Sequence, residues 1–320
     1  MPLLSIIIPV YNRSKLLTEA IKSVRSQGFE DYELIVVDDG SADDTPAVLV
    51  RLGEGQAPGK FRVLHQSNAG QGAARNLAIA EARGEYCMFL DSDDLFFPWT
   101  LTTVADAIQN NGRPSVLLGR ELCFSDDPEF ATAKYQTLQT QAWPDLYTYA
   151  AQNRLGPCGI LVARTELLRE VGGFLTERMV GEDADLMLRL GTAPNMVKIN
   201  APSMYGYRRH TENYTLKPEA WYRGACAFIH RYRSGGFPGG PARAAEIRKR
   251  VAAAIACYSF MCLYHGSRMN FCKVYIQTVG LQLRAKQYRY VFRMPLRLAL
   301  SVIGLWPRKG TATDTQLWGR

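Results

Sequence analysis

The first third of the chain alternates between two kinds of hydrophobic pattern. LSIIIPVYN (residues 4–12) is a short continuous apolar run, as expected of a strand buried on both faces. SKLLTEAIKSVRSQ follows with Leu16, Leu17, Ala20, Ile21 and Val24 on one helical stripe. The cycle repeats with the strand YELIVVDDG and a helix opening in SADDTPAVLVRL. A third strand, FRVLHQ, precedes SNAGQGAARNLAIAEA, a glycine-containing loop entering an alanine-rich helix, and EYCMFL is a fourth strand. Ser14 and Ser41 are placed to cap the first two helices. Strands alternating with helices predict an α/β fold with a parallel sheet.

From about 111 to 215 the pattern is mixed: SVLLGRELCF and GILVARTELL look strand-like, and GEDADLMLRLG looks helical. Beyond 217 the chain reads as mainly helical, broken by SGGFPGGP (234–241), a flexible surface loop by composition. The expected division is 1–110 and 111–216, two halves of one domain, followed by 217–320, a basic helical extension. The longest apolar stretch, VAAAIACYSFMCLY from Val251, is shorter than the roughly 18 to 20 residues of a membrane-spanning helix, so it predicts a core helix. The N-terminus lacks the basic and small-residue flanks of a signal peptide, and none is expected.

At 320 residues and 47% hydrophobic, the composition is that of a globular protein with a sizeable core. Seven cysteines, an odd number without a CxxC pair, point to reduced thiols of a cytoplasmic protein, with no disulfide framework or zinc site. The net charge of +8 hides a division: residues 1–216 hold 20 Lys and Arg against 27 Asp and Glu, while 217–320 hold 18 against 3. The acidic part carries the candidate chemistry, and the basic part suggests an anionic partner.

In a parallel α/β sheet, ligands bind beyond the carboxyl ends of the strands. Three strand ends here carry polar groups: Tyr11 and Asn12, Asp38 and Asp39, then Asp91, Asp93 and Asp94. The last three repel one another unless something positive holds them. A helix N-terminus would give the same DSDD, and a plain turn the same DDGS.

SIIIPVYNRSKLLTEAIKSVRSQGFEDYELIVVDDGSADDT, NAGQGAARNLAIAEARGEYCMFLDSDD and GEDADLMLRL, in this order, resemble the successive motifs of glycosyltransferase family 2, over roughly residues 3–215. The resemblance implies a GT-A fold, a Rossmann-like mixed sheet flanked by helices, with a mainly helical C-terminal extension. It implies an inverting transferase moving a sugar from a nucleotide-sugar donor, UDP-linked in the leading reading, to an acceptor hydroxyl. Mn²⁺ or Mg²⁺ would bridge the donor diphosphate to Asp93 and Asp91, with Asp94 and His210 as further ligands. Pro9, Val10, Tyr11, Asp38 and Asp39 would line the base pocket, with Tyr11 stacking and Asp39 accepting from the base. Asn68, Gly72 and Arg75 would meet phosphate or ribose, and Asp91 and Ser92 the ribose or sugar. Asp183 would be the general base, with Glu182 orienting it or touching the acceptor. GPCGILVARTELLREVGGF would border the acceptor.

The expected acceptor is a growing surface polysaccharide or lipid-linked glycan. A phosphohydrolase using DxD would want the motif after the first strand, and a non-catalytic nucleotide-binding or anionic-surface module would need only the tail. No nucleic-acid recognition motif is present. In that tail Tyr288, Val291, Phe292, Ala299 and Ile303 share one helical face beside Lys286, Arg289, Arg293 and Arg297. This predicts peripheral contact with an anionic membrane surface, or else a solvated basic face, on either a single helix or two shorter ones meeting at Pro295.

Overall fold

The computed structural model describes residues 1–320 apart from 56, 58, 126–129, 131, 154, 210–216, 304 and 306–320. The chain forms two units, Met1–Arg178 with Glu182–His210, and Met179–Gly181 with Thr211–Arg320.

In the first unit, β1 (Leu4–Val10), β2 (Tyr32–Asp38), β3 (Phe61–His65) and β4 (Tyr86–Phe89) pair in parallel in the order β3-β2-β1-β4. Pro9 is tolerated in β1 because β4 pairs only with Leu4 to Ile7, so the missing N–H falls beyond that ladder. The crossover helices are α1 (Ser14–Arg25), α2 (Thr45–Gly53) and α3 (Gln71–Glu81). Helix α1 buries Leu17, Ala20, Ile21 and Val24, four of the five stripe residues.

Both expected caps are displaced. Ser14 is the first residue of α1, after Arg13, and makes no capping bond. Helix α2 starts later, with Asp44 before it and Pro46 in its first turn, where a missing N–H costs nothing. Ser41 instead accepts from the backbone N–H of Asn12 at 2.9 Å, tying the loops after β1 and β2 together.

The sheet continues from β4 through β9 (Leu161–Arg164), β6 (Val116–Leu118), β10 (Pro194–Ala201) and β8 (Gln139–Asp145), eight strands in all. Strand β9 runs antiparallel to β4 and β6, so the sheet is mixed. Strands β6, β8, β9 and β10 therefore share one sheet with β1 to β4, and one apolar core runs through both halves. SVLLGRELCF is two strands, β6 and β7 (Glu121–Phe124); β7 joins β11 (Tyr205–Arg208) and β5 (Leu95–Phe96) in a separate three-stranded sheet. Helices α4 (Thr100–Asn110), α5 (Leu146–Gln152), α6 (Thr165–Glu170) and α7 (Glu182–Arg189) complete this unit.

The second unit consists of α8 (Pro218–Arg233), α9 (Gly240–Tyr264), α10 (Arg268–Arg284) and α11 (Tyr288–Val302). Met179–Gly181 packs with these helices: Val180 N–H donates to Ala220 at 3.1 Å. VAAAIACYSFMCLY lies in α9 and buries Val251, Ile255, Tyr258 and Leu263. Among the described residues no helix is long and apolar enough to cross a membrane. The loop between α8 and α9 is anchored by Phe237, which is buried with its ring 6.2 Å from that of Phe228.

Helix α11 runs unbroken through Pro295, the single-helix alternative of the two. A proline deprives the carbonyl four residues earlier of its helical donor. That carbonyl belongs to Val291, and the Tyr275 hydroxyl donates to it at 2.7 Å. The predicted face is also redrawn, because Val291 is buried with Tyr290 and Met294, while Arg297 stacks 5.2 Å over Phe260.

Candidate active site

The ends of β1, β2 and β4 lie side by side because the three strands are neighbours in register. Pro9 and Val10 are enclosed in β1, so of the expected base-pocket residues there only Tyr11, 47% exposed, reaches solvent. Asn12 follows with φ of +50°, a left-handed turn that asparagine tolerates.

Asp38 and Asp39 are buried, and their oxygens are well used. Asp38 accepts from the Ser41 N–H at 2.9 Å. Asp39 accepts from the Gln66 amide and Ala69 N–H, both at 2.7 Å, and from Gly70 N–H at 2.8 Å. A carboxylate offers about four acceptor positions, so one remains for a base N–H. Asp39 thus holds the 66–70 loop as its first task. Asn68 accepts from Arg178 through both its backbone and side-chain oxygens. At Gly72 a Cβ would come within 2.0 Å of the Leu175 carbonyl, so its glycine serves helix packing rather than a phosphate approach.

Arg75 departs most from expectation. It is 1% exposed, stacks over Phe174 with its guanidinium carbon 5.0 Å from the ring centre, and spends its fork on two carboxylates. One nitrogen lies 2.6 Å from Asp91 and the other 3.3 Å from Glu182. It joins the end of β4 to the start of α7. Gln71 also donates to the same Glu182 oxygen.

Each aspartate of DSDD has its own partner. Asp91 has Arg75. Asp93, whose side chain is 15% exposed, has Arg13 at 2.6 Å. Asp94 is buried, accepting from the Tyr205 hydroxyl through one oxygen and from Arg208 N–H at 2.7 Å through the other. Burial, then the charges of Asp91 and Asp93, push Asp94 up to about 8. Through these two bonds Asp94 braces β11 against the DSDD turn. Ser92 is buried beside it. His210 lies outside the described residues.

Asp183 sits in the first turn of α7 with Oδ1 accepting from the Ala184 N–H at 2.7 Å. Burial, and then the charge of Glu182, push it up to about 7, outweighing the helix N-terminus that would otherwise favour the carboxylate. Asp91 adds to the same shift, so Asp183, Glu182 and Asp91 share one electrostatic neighbourhood. Asp185 is set apart, fully buried and paired with Arg189 at 2.8 Å.

The model of the family described as glycosyl transferase family 2 matches residues 5–166, just over half of the chain. The chain belongs to that family. An uncharacterised glycosyltransferase of Nostoc sp. is 37% identical over 133 residues, 42% of this chain and 41% of that protein. A Campylobacter jejuni protein named GalNAc(5)-diNAcBac-PP-undecaprenol beta-1,3-glucosyltransferase is 39% identical over 104 residues, 32% of this chain and 34% of its own. The matches thus span under half the length of these relatives. Among solved structures, S. aureus TarS 1-349 in complex with UDP-GlcNAc superposes with a TM-score of 0.57 at 21% identity, covering 89% of this chain and 92% of that one. The mannosyltransferase PcManGT from Pyrobaculum calidifontis, in complex with GDP-Man and Mn²⁺, gives 0.53 at 20% identity over 95% and 87%. The fold is GT-A, with a helical C-terminal region.

The donor set of this family member suits a hard cation only in part. Asp91 and Asp93 offer carboxylates on side chains that are 29% and 15% exposed, and the Arg13 side chain paired with Asp93 is 28% exposed. Among the described residues no group of three or more His, Cys, Asp or Glu is placed to hold a metal. An ion there would complete its shell from donor phosphate oxygens and water, as Mg²⁺ usually does.

Arg13, Gln71 and Tyr205 were not singled out in the sequence. Arg13 had a weak signal, being a cation directly after the first strand end. Tyr205 reaches Asp94 across 111 positions, a pairing that no local pattern carries.

Proposed function

We propose that this chain is an inverting glycosyltransferase that moves a sugar from a nucleotide-sugar donor, UDP-linked, to the hydroxyl of a saccharide acceptor in surface polysaccharide or lipid-linked glycan assembly. The observation that supports it most is Asp183, a carboxylate pushed to about 7 beside Glu182 and Asp91 at the rim of a GT-A sheet. A general base works best with a pKa near the operating pH. Its Oδ1 is held by Ala184, leaving Oδ2 to take the acceptor proton. As that proton leaves, the acceptor oxygen bonds to the anomeric carbon and the bond from that carbon to the diphosphate breaks on the opposite face.

Asp93 and Asp91 would hold Mn²⁺ or Mg²⁺, which supplies charge neutralisation for the departing diphosphate. Arg13, displaced from Asp93, is then free to meet a phosphate oxygen. Tyr11 offers an exposed ring for the base, and Asp39 its remaining acceptor position. The UDP-GlcNAc and GDP-Man complexes of the structural neighbours support a nucleotide-sugar donor, and the name of the Campylobacter relative supports a lipid-linked acceptor.

The test is incubation with a panel of UDP-, GDP- and dTDP-sugars, with and without Mn²⁺, reading the released nucleoside diphosphate. Release from one donor, metal-dependent and lost in Asp183→Asn, is expected. No release and no donor binding across the panel would overturn the transferase reading.

A further inference from the structure

Helix α11 presents three different faces to three different surroundings. Tyr290, Val291, Met294 and Ser301 are buried against the other helices of the second unit. A second face is apolar but exposed: Tyr288, Phe292, Leu296, Ala299 and Ile303 recur at spacings of three and four, and Phe292 is 72% exposed and Leu296 61%. Arg289 and Arg293 border that arc on one side and are exposed as well. Scattered apolar residues on a surface need no explanation, but an uninterrupted stripe along a whole helix does.

The charge of the surroundings says what covers it. Among the described residues of this unit the acidic side chains are Glu219 and Glu246, on α8 and α9. Both are engaged locally, Glu219 with Asn270 at 3.0 Å and Arg223, and Glu246 with Arg243. Neither is on α11, and residues 217–320 carry 18 basic against 3 acidic side chains. Two copies of such a unit brought face to face would add like charge to like. An anionic bilayer takes the apolar arc into its headgroup boundary and pairs the flanking arginines with lipid phosphates, with their stems lying along the apolar surface.

We propose that the exposed face of α11 docks on an anionic phospholipid bilayer, lying in its surface with Phe292, Leu296 and Ile303 inserted and Arg289 and Arg293 at the phosphates. The proposal is independent of the transferase reading, since it needs no turnover. Both the continuity of the helix through Pro295 and the burial of Val291 contribute to it. A break at Pro295 would divide the apolar arc, and an outward Val291 would turn Phe292 and Leu296 toward the protein.

The full chain is sedimented with vesicles of phosphatidylcholine alone and of phosphatidylcholine mixed with phosphatidylglycerol. Binding is expected to the mixed vesicles only, weakened by salt. Arg289→Gln with Arg293→Gln should weaken it on the order of 30-fold at low salt. Phe292→Ser with Leu296→Ser should abolish it at any salt, with circular dichroism and the unfolding midpoint unchanged. Equal binding to both vesicle types, or equal binding by the parent and both variants, overturns the proposal. So does absence of vesicle binding, including the case in which sedimentation velocity shows a dimer of the parent that Phe292→Ser with Leu296→Ser dissociates, which would make the face an interface between copies.

Discussion

The guanidinium of Arg13 lies 2.6 Å from the carboxylate of Asp93, joining the start of α1 to the turn after β4. The residue best placed to bind a cation therefore already has one. Metal binding at Asp93 is an exchange of Arg13 for a divalent ion. Asp93→Asn should abolish Mn²⁺-dependent donor binding in calorimetry with the unfolding midpoint unchanged. Arg13→Gln should lower the Mn²⁺ concentration needed for half-maximal donor binding, because the competing cation is gone. A higher requirement would show Arg13 to be holding phosphate in the bound state.

Asp183→Asn should lower turnover by roughly 10² to 10⁴ with donor affinity little changed. Titration supplies a second readout. Asp183 is raised to about 7, so below that pH it is protonated and cannot accept the acceptor proton. Turnover should fall about tenfold per pH unit on the acid side and level off above. Glu182 is the largest cause of the shift after burial, so Glu182→Gln should move this limb to lower pH. An unmoved limb in Glu182→Gln, or a profile flat through 7, would assign the base elsewhere.

Arg75 is enclosed between Asp91 and Glu182, and removing a buried cation leaves its carboxylates without compensation. Arg75→Met should cost roughly 3 to 5 kcal/mol of stability in denaturant unfolding. Arg75→Lys should recover only part of that loss, since one ammonium cannot reproduce a fork between two acids. A loss confined to donor affinity, with stability intact, would return Arg75 to the phosphate role.

The Tyr275 hydroxyl substitutes for the backbone donor that Pro295 lacks. Tyr275→Phe should destabilise the protein by about 1 kcal/mol and speed amide exchange in α11, with little effect in the first unit. Pro295→Ala in the same background should restore most of the loss by returning an N–H to the Val291 carbonyl.

Much of the fold was legible in the chain itself, because the relevant physics is local. Continuous apolar runs such as LSIIIPV and YELIVVD have no polar face to show water, and the 3.6-residue stripe of α1 has one. Both periodicities survive any choice of tertiary arrangement. The order of motifs carried the family, and the acidic clusters after β2 and β4 fall on one edge of the sheet. What each acid does was decided only by tertiary structure, since an aspartate is read by its partners, which here lie 80 positions away for Asp93 and Arg13, 111 for Asp94 and Tyr205, and 107 for Glu182 and Arg75. Within the apparent cluster Asp91 meets Arg75, Asp93 meets Arg13, and Asp94 is held by the Tyr205 hydroxyl and the Arg208 N–H. Which side of α11 faces outward was decided in the same way. The pattern places Val291 and Phe292 on neighbouring parts of one helix, and only packing against Tyr275, Tyr290 and the rest of the helical unit buries one and exposes the other.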